Sequence, residues 1–285
     1  MLDSNKLMTV TKELLAAGIN ESDVWINTYM DILDSLDTDT ICKFIRTDVG
    51  RLDILRALSF RKATTFYHGT SDRNLKPSVD GGKENNDYGR GFYLTNIPEL
   101  SKEWAWSQFN GHKQENGYSF KFSFSWDNLT VLDLTAYTPL TWMAILLKHR
   151  TDNDSDMFGN DDPDMVKFIN DYYIDVTSKD VIIGYRADDS MFAIKTAFLL
   201  NRLSLRGLQE ALHTVELGLQ LCLKSEAAYT NLMFDSCIEV PRHYREKDTE
   251  RRRTADKLVR QLIEKDKQRK DRVYFIDVVR GEKYV

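Results

Sequence analysis

Residues Tyr118-Ser119-Phe120-Lys121-Phe122-Ser123-Phe124-Ser125-Trp126 alternate aromatic with polar side chains. A period of two puts the rings on one side of an extended chain and the polar groups on the other, the signature of a strand with one buried face. Such a strand needs partners, and the chain offers several. Phe66-Tyr67-His68 and Gly91-Phe92-Tyr93-Leu94 read as short aromatic strands, and Val131-Leu132-Asp133-Leu134 as another. Asp180-Val181-Ile182-Ile183-Gly184 is a β-branched run suited to a central strand, and Gly218-Leu219-Gln220 leads into Leu221-Cys222-Leu223. Val273 to Val279 reads as a last strand.

Helical patterns lie between these strands. From Pro98 the period changes, placing Ser101 and Trp104 one turn apart. Residues 139–150 form a compact apolar helix, and 204–217 an amphipathic one. A helix after Ser225 is expected to run to about Met233-Phe234, and a charged helix over 241–271. Residues 1–62 read as helices, with Gly18 as a stop and Asn20-Glu21-Ser22-Asp23 as the next start. The expected class is therefore α+β. Its three parts are a helical N-terminal extension over 1–62, a main domain over 63–240, and a basic helix plus terminal strand over 241–285.

No apolar run approaches the roughly 18 residues of a membrane span. The start, Met1 to Lys6, lacks a basic segment followed by an apolar core, so no secretory signal is read there. Cys42, Cys222 and Cys237 are three, widely spaced and without a CxxC pair, which fits reduced thiols in a cytosol better than disulfides or zinc. Thr151 to Gly159 superficially resembles a calcium loop, but Met157 stands where glycine is needed and Pro163 where a bidentate glutamate is needed, so a solvated loop is expected. Net charge is −5, divided as +6 over 241–285 and −11 over 1–240. A basic tail on an acidic body reads either as a nucleic-acid arm or, given its interspersed acids, as a solvated helix that docks on the body.

The chemistry-bearing stretch runs from Phe66 to Trp104. His68-Gly69-Thr70 supplies an imidazole, a backbone without Cβ and a hydroxyl, and Gly89-Arg90-Gly91 lets backbone pass close to a bound group. Tyr93 adds a flat aromatic face. Taken singly, His68 and Tyr93 read as a polar aromatic pair in a sheet core; with the two glycine-flanked motifs they read as a ligand site. Ala187-Asp188-Asp189 reads as a turn whose carboxylates cap the next helix or shape a cleft.

Tyr67-His68-Gly69-Thr70 followed by Gly89-Arg90-Gly91-Phe92-Tyr93-Leu94-Thr95 resembles the first two signature blocks of the ADP-ribosyltransferase superfamily. It is most similar to an uncharacterised bacterial family of that fold reading roughly YHG[ST], DFGxGFY, ADD and a late Gln, matched here by Asp87 to Tyr93, Ala187-Asp188-Asp189 and Gln220. The resemblance covers about residues 64 to 234. It implies a split β-sandwich holding NAD, as substrate and without a metal, between two facing sheets.

The resemblance also implies roles. His68 would bond a ribose hydroxyl on the adenosine side, and Gly69 would hold the nicotinamide amide through its backbone with Thr70 close by. Tyr93 would stack on the nicotinamide ring, Ser101 would meet its amide, and Trp104 would form a second aromatic wall. Gln220 stands where characterised transferases place a glutamate, and Gly218 two residues before it; Gln220 carries no charge and cannot act as a general base. Glu216 and Glu226 flank it. The implied activity is mono-ADP-ribosyl transfer to a macromolecular acceptor, protein or nucleic acid. The implied setting is a cytoplasmic bacterial toxin or phage-defence effector, with an antitoxin or regulatory partner. The alternatives are a non-catalytic NAD- or nucleotide-binding module, an NAD glycohydrolase, and an RNA-directed reaction on a terminal phosphate.

Overall fold

The computed structural model describes residues 60–107, 116–150, 162–187, 189–214, 218–270 and 272–281, with Thr9, Lys12, Glu13, Ala16 and Cys42. The chain divides into two compact units, residues 1–63 with 133–138, and residues 64–132 with 139–285. The expected N-terminal helices fall largely outside the described residues; those described there, including 60–62, are helical apart from Ala63. The 151–159 loop also lies outside them.

The larger unit is a mixed α+β structure with two sheets. Strand β1 (Thr65–Thr70), β3 (Gly117–Phe124) and β7 (Leu232–Val240) form one sheet in the order β1-β3-β7. Strand β2 (Phe92–Leu94), β4 (Val131–Asp133), β5 (Val181–Tyr185) and β6 (Leu219–Leu223) form the other in the order β2-β6-β5-β4. The pairings of β1 with β3, β3 with β7, β2 with β6 and β5 with β6 are antiparallel. The sheets meet where Tyr67 and Thr95 exchange backbone hydrogen bonds of 2.7 and 2.9 Å. The alternation of residues 118–126 holds from Phe120 on: Phe120, Phe122 and Phe124 are buried, while Lys121 and Ser123 are half-buried and meet Asp235 across the sheet. Ser119, expected on the polar face, is buried under the helix Pro98–Ser107.

Helix α1 (Pro98–Ser107) lies on β1 and β3, close enough that a Cβ on Gly69 would run into the Ser101 carbonyl. Helix α2 (Pro139–His149) buries every residue from Leu140 to Leu147. Helix α3 (Pro163–Tyr172) starts on Asp162, whose carboxylate accepts the Asp164 and Met165 N–H groups. Helices α4 (Asp189–Leu199) and α5 (Leu205–Thr214) follow around β5 and lead to β6.

Two expectations fail in the C-terminal third. The helix after Ser225 is only α6 (Glu226–Thr230), and Leu232 opens the nine-residue strand β7 instead of continuing it. Met233 and Phe234 therefore extend an edge strand, pairing with Ser123 and Phe122. The expected strand over 273–279 is helix α8 (Phe275–Arg280). There Asp277 accepts the Tyr274 N–H at 2.8 Å, and Gly281 ends the helix at φ 76°; these local caps override the β-branched composition.

The charged stretch forms helix α7 (His243–Asp266) and belongs to the same compact unit as the sheets. Ala255, Val259 and Leu262 bury its inner face at helical spacing. Its polar contacts reach the body. Arg251 Nε meets Glu103 at 2.6 Å, Lys265 and Arg269 pair with Glu210, and the buried Asp266 accepts the Ser204 N–H and hydroxyl at 2.8 and 2.7 Å. These contacts dock the helix on the body. Among the described residues no helix is long and apolar enough to cross a membrane.

Candidate functional site

β1 and β2 carry the two glycine-flanked motifs to the seam between the sheets. There the His68 Nδ1–H donates to the Tyr93 carbonyl at 2.7 Å, and the imidazole packs against Phe92 with ring centroids 4.6 Å apart. Burial pulls His68 down to about 4, with the Tyr93 carbonyl opposing, so the ring is neutral at pH 7. With its proton on Nδ1, its other nitrogen is left as an acceptor.

Tyr93 is committed to the loop that precedes it. Its hydroxyl donates to the Gly89 carbonyl at 2.6 Å and accepts the Tyr88 N–H at 2.9 Å, and its ring stacks near Tyr88 at 6.2 Å. Gly89 turns the loop at φ 73°, a left-handed conformation that favours glycine. Burial raises the Tyr93 hydroxyl well above its ordinary value and pushes the Cys222 thiol up to about 12, so neither is an anion at neutral pH.

The other predicted residues divide between two places. Gly69 and Ser101 meet where α1 lies on β1, and the buried Ser101 hydroxyl donates to Pro98 O at 2.8 Å and bonds the Ser119 hydroxyl at 2.6 Å. The close approach at Gly69 is thus filled by helix backbone. Thr70 is buried and accepts the Asp72 N–H at 3.1 Å. Trp104 lies under the Arg186 guanidinium, 5.2 Å from the ring centroid. Arg186 follows β5, and its N–H donates to the Gly218 carbonyl at 3.3 Å, just before Gln220. A Cβ on Gly218 would lie within 4 Å of Leu100 and Ile97, so α1 and the start of β6 are neighbours.

Gln220 belongs to a buried polar cluster that sequence reading does not foresee. Its Nε2 donates to Asp87 Oδ2 at 2.7 Å and to Tyr185 O at 3.3 Å. Asp87 also accepts the Ala187 N–H at 2.9 Å and Arg150 Nη1 at 2.8 Å, and Arg150 donates to Ala187 O at 2.7 Å. Burial raises the Asp87 carboxyl, opposed by Arg150 and by the hydrogen bonds from Ala187 and Gln220. Every group touching the carboxylate is a donor, so the ionised form is the one these contacts suit. Tyr88 completes the wall: its hydroxyl donates to Tyr185 O and accepts from Trp142 Nε1 at 3.1 Å.

Asp87 is visible in the sequence as the first residue of the second motif, whereas Arg150 gives no signal because its partner is 63 positions away. The Ala187-Asp188-Asp189 turn enters the cluster through Ala187 backbone; Asp188 and the side chain of Asp189 lie outside the described residues, as do Glu216 and the side chain of His213.

Comparison with curated proteins and with solved structures gives no match. A family match spans residues 64–234, more than half of the chain, and takes in His68, the Asp87 to Tyr93 loop, α1, Arg150 and Gln220. By that match the chain belongs to the family described as "Protein of unknown function (DUF3990)".

Proposed function

We propose that the protein is an NAD-dependent mono-ADP-ribosyltransferase acting on a macromolecular acceptor, with NAD bound along the seam between the two sheets. The observation that carries this reading is the lock between the two motif strands. His68 bonds the Tyr93 carbonyl at 2.7 Å beside the backbone bridge from Tyr67 to Thr95, at the point where the two sheets meet. A neutral imidazole held there offers an acceptor nitrogen to a ribose hydroxyl. Supporting it, α1 brings Trp104 and its Arg186 partner beside the residues that lead into Gln220.

In the reaction, the bond between the ribose C1′ and the nicotinamide nitrogen breaks, and its electron pair leaves with nicotinamide. The acceptor nucleophile then bonds C1′, and any proton it carries passes to solvent. The transition state resembles an oxocarbenium ion, so acceptors near the ribose hydroxyls act most strongly there. The Ser101 hydroxyl already has protein partners, and this reading gives it the task of fixing the wall, not of bonding the nicotinamide amide. The Tyr93 hydroxyl, bonded to Gly89, fixes the ring that would stack on nicotinamide.

The competing reading, a non-catalytic NAD-binding module, is favoured by the uncharged Gln220 at the position where a glutamate would stabilise the cationic ribose. Titration calorimetry with NAD, paired with chromatographic measurement of released nicotinamide in the presence of cell lysate, separates the two. Binding with release that depends on the lysate supports transfer, and release without lysate supports hydrolysis. Binding without release supports the module, and no binding at millimolar NAD removes them all.

A further inference from the structure

We propose that Asp87 is a positioning residue: it pins the Gln220 amide by its nitrogen, so that Gln220 presents to the NAD ribose a polarised carbonyl oxygen and no N–H. The proposal rests on the transfer reading above and deepens it.

A glutamine amide carries two N–H donors at one end and an acceptor oxygen at the other. Which end faces which way is decided by its neighbours. Both groups against Gln220 Nε2, the Asp87 carboxylate at 2.7 Å and the Tyr185 carbonyl at 3.3 Å, are acceptors without a proton to give. The flipped amide would set an oxygen against two oxygens. Nor does the neighbouring phenol supply a donor to the other end, because the Tyr88 hydroxyl proton is directed at Tyr185 O. The amide nitrogen is therefore used up within the protein, and the acceptor oxygen is the capacity that remains.

Asp87 is itself held in place. Arg150 and the Ala187 N–H bond its two oxygens at 2.8 and 2.9 Å, fixing the carboxylate in the plane that receives the amide. A carboxylate accepting an amide N–H draws the amide's electrons toward its oxygen, as linked hydrogen bonds polarise one another in a low-dielectric interior. The negative charge that a strand glutamate would carry thus sits one hydrogen bond farther out, on Asp87, and acts on the ribose through Gln220. This explains how an uncharged residue at the head of β6 serves a cationic transition state.

The test uses the full chain and three variants: Asp87→Asn, Gln220→Glu and the double exchange. Asp87→Asn removes the charge and lets either amide turn, so kcat for nicotinamide release should fall roughly tenfold or more with KM for NAD little changed. Gln220→Glu sets two carboxylates at hydrogen-bond distance, which coexist only by sharing a proton, so its turnover should decline as pH rises through that titration. The double exchange restores one carboxylate and one amide, with the new amide oxygen at position 87 accepting from Arg150 and its nitrogen donating to the new carboxylate at position 220. Because that nitrogen also meets the Ala187 N–H, the double exchange should recover part of the lost kcat, not all of it. In the native protein the side-chain amide protons of Gln220, followed by nitrogen-edited NMR, should exchange slowly, and faster in Asp87→Asn.

Native turnover with Asp87→Asn at wild-type kcat overturns the proposal, as does a double exchange no better than Asp87→Asn, or fast-exchanging Gln220 protons in the native protein. A native protein that releases no nicotinamide overturns the transfer reading and the proposal with it.

Discussion

All five residues of β6 are buried, whereas seven of the nine in β7 are exposed, although the two strands are close in sequence. β6 lies inside the four-stranded sheet between β2 and β5; β7 is the edge of the three-stranded one. In β6 the one polar side chain, Gln220, is bonded to Asp87 and Tyr185, because an unpaired amide at that depth would cost about 1–3 kcal/mol. In β7, Met233, Phe234 and Ile238 are 64, 60 and 49 % exposed. An edge strand is held by its backbone ladder, so its side chains are less constrained in type. A polar residue is informative where water is absent, because its partners are then specified, as those of Gln220 are and those of the exposed β7 residues need not be.

The sharpest way to break this contrast is to remove the partner on which β6 depends. Asp87→Ala leaves Arg150, the Ala187 N–H and Gln220 without their acceptor, and should lower unfolding free energy by about 3 kcal/mol, read from urea denaturation. A loss under about 0.5 kcal/mol would show that water replaces the carboxylate and that β6 is less enclosed than its burial implies.

A smaller effect is expected in β1, which shares a sheet with β7 but lies at the seam. His68 titrates at about 4 instead of its ordinary 6.5, so as pH falls below 6.5 the unfolded chain takes up the proton first. Its contribution to stability is complete above 6.5 and is lost as pH falls toward 4. His149 is shifted the same way, by burial and by Lys224 and Lys148, and adds to the trend. Replacing His68 with Asn should flatten the fall of stability between pH 6.5 and 4, leaving the His149 part. An unchanged slope would mean that His68 is hydrated and titrates normally.

The smallest effect belongs to the edge. Met233→Ser should change stability by no more than about 0.5 kcal/mol, measured by thermal melting. A larger loss would mean that the β7 surface is covered in solution.

The same contrast explains what can be read from the chain. β3 is legible because its alternation records one buried face, and β5 because a β-branched run marks a central strand. β7 is not: Leu232 to Val240 has apolar residues on both exposed faces, so burial leaves no period, and the expected helix runs across its start. α8 misleads for the opposite reason: its β-branched composition suggests a strand, while the Asp277 cap and the Gly281 stop decide for a helix. Of the proposed site, His68, Tyr93 and Gln220 are picked out as candidates by motif and position. The Asp87–Arg150–Gln220 cluster is out of reach because it joins residues 63 and 133 positions apart, with nothing in local composition to link them.

The seating of α7 also sets an order of assembly in time. Helix α1 is held on one side by β1 and on the other by α7 and the end of β7, through Arg251 on Glu103, Tyr244 against Ala105 and Trp106, and the Trp106 indole N–H on the Val240 carbonyl at 3.1 Å. The last residue of α1 and the last of α7 are roughly 160 positions apart, which at about 5–20 residues per second of synthesis is on the order of 10–30 s. Throughout that interval the nascent chain already has His68, Tyr93 and α1 but no outer support for the helix. A ribosome that stalls between residues 234 and 240 leaves a polypeptide containing the whole family segment with Glu103 and Trp106 still unpartnered by α7 and the end of β7.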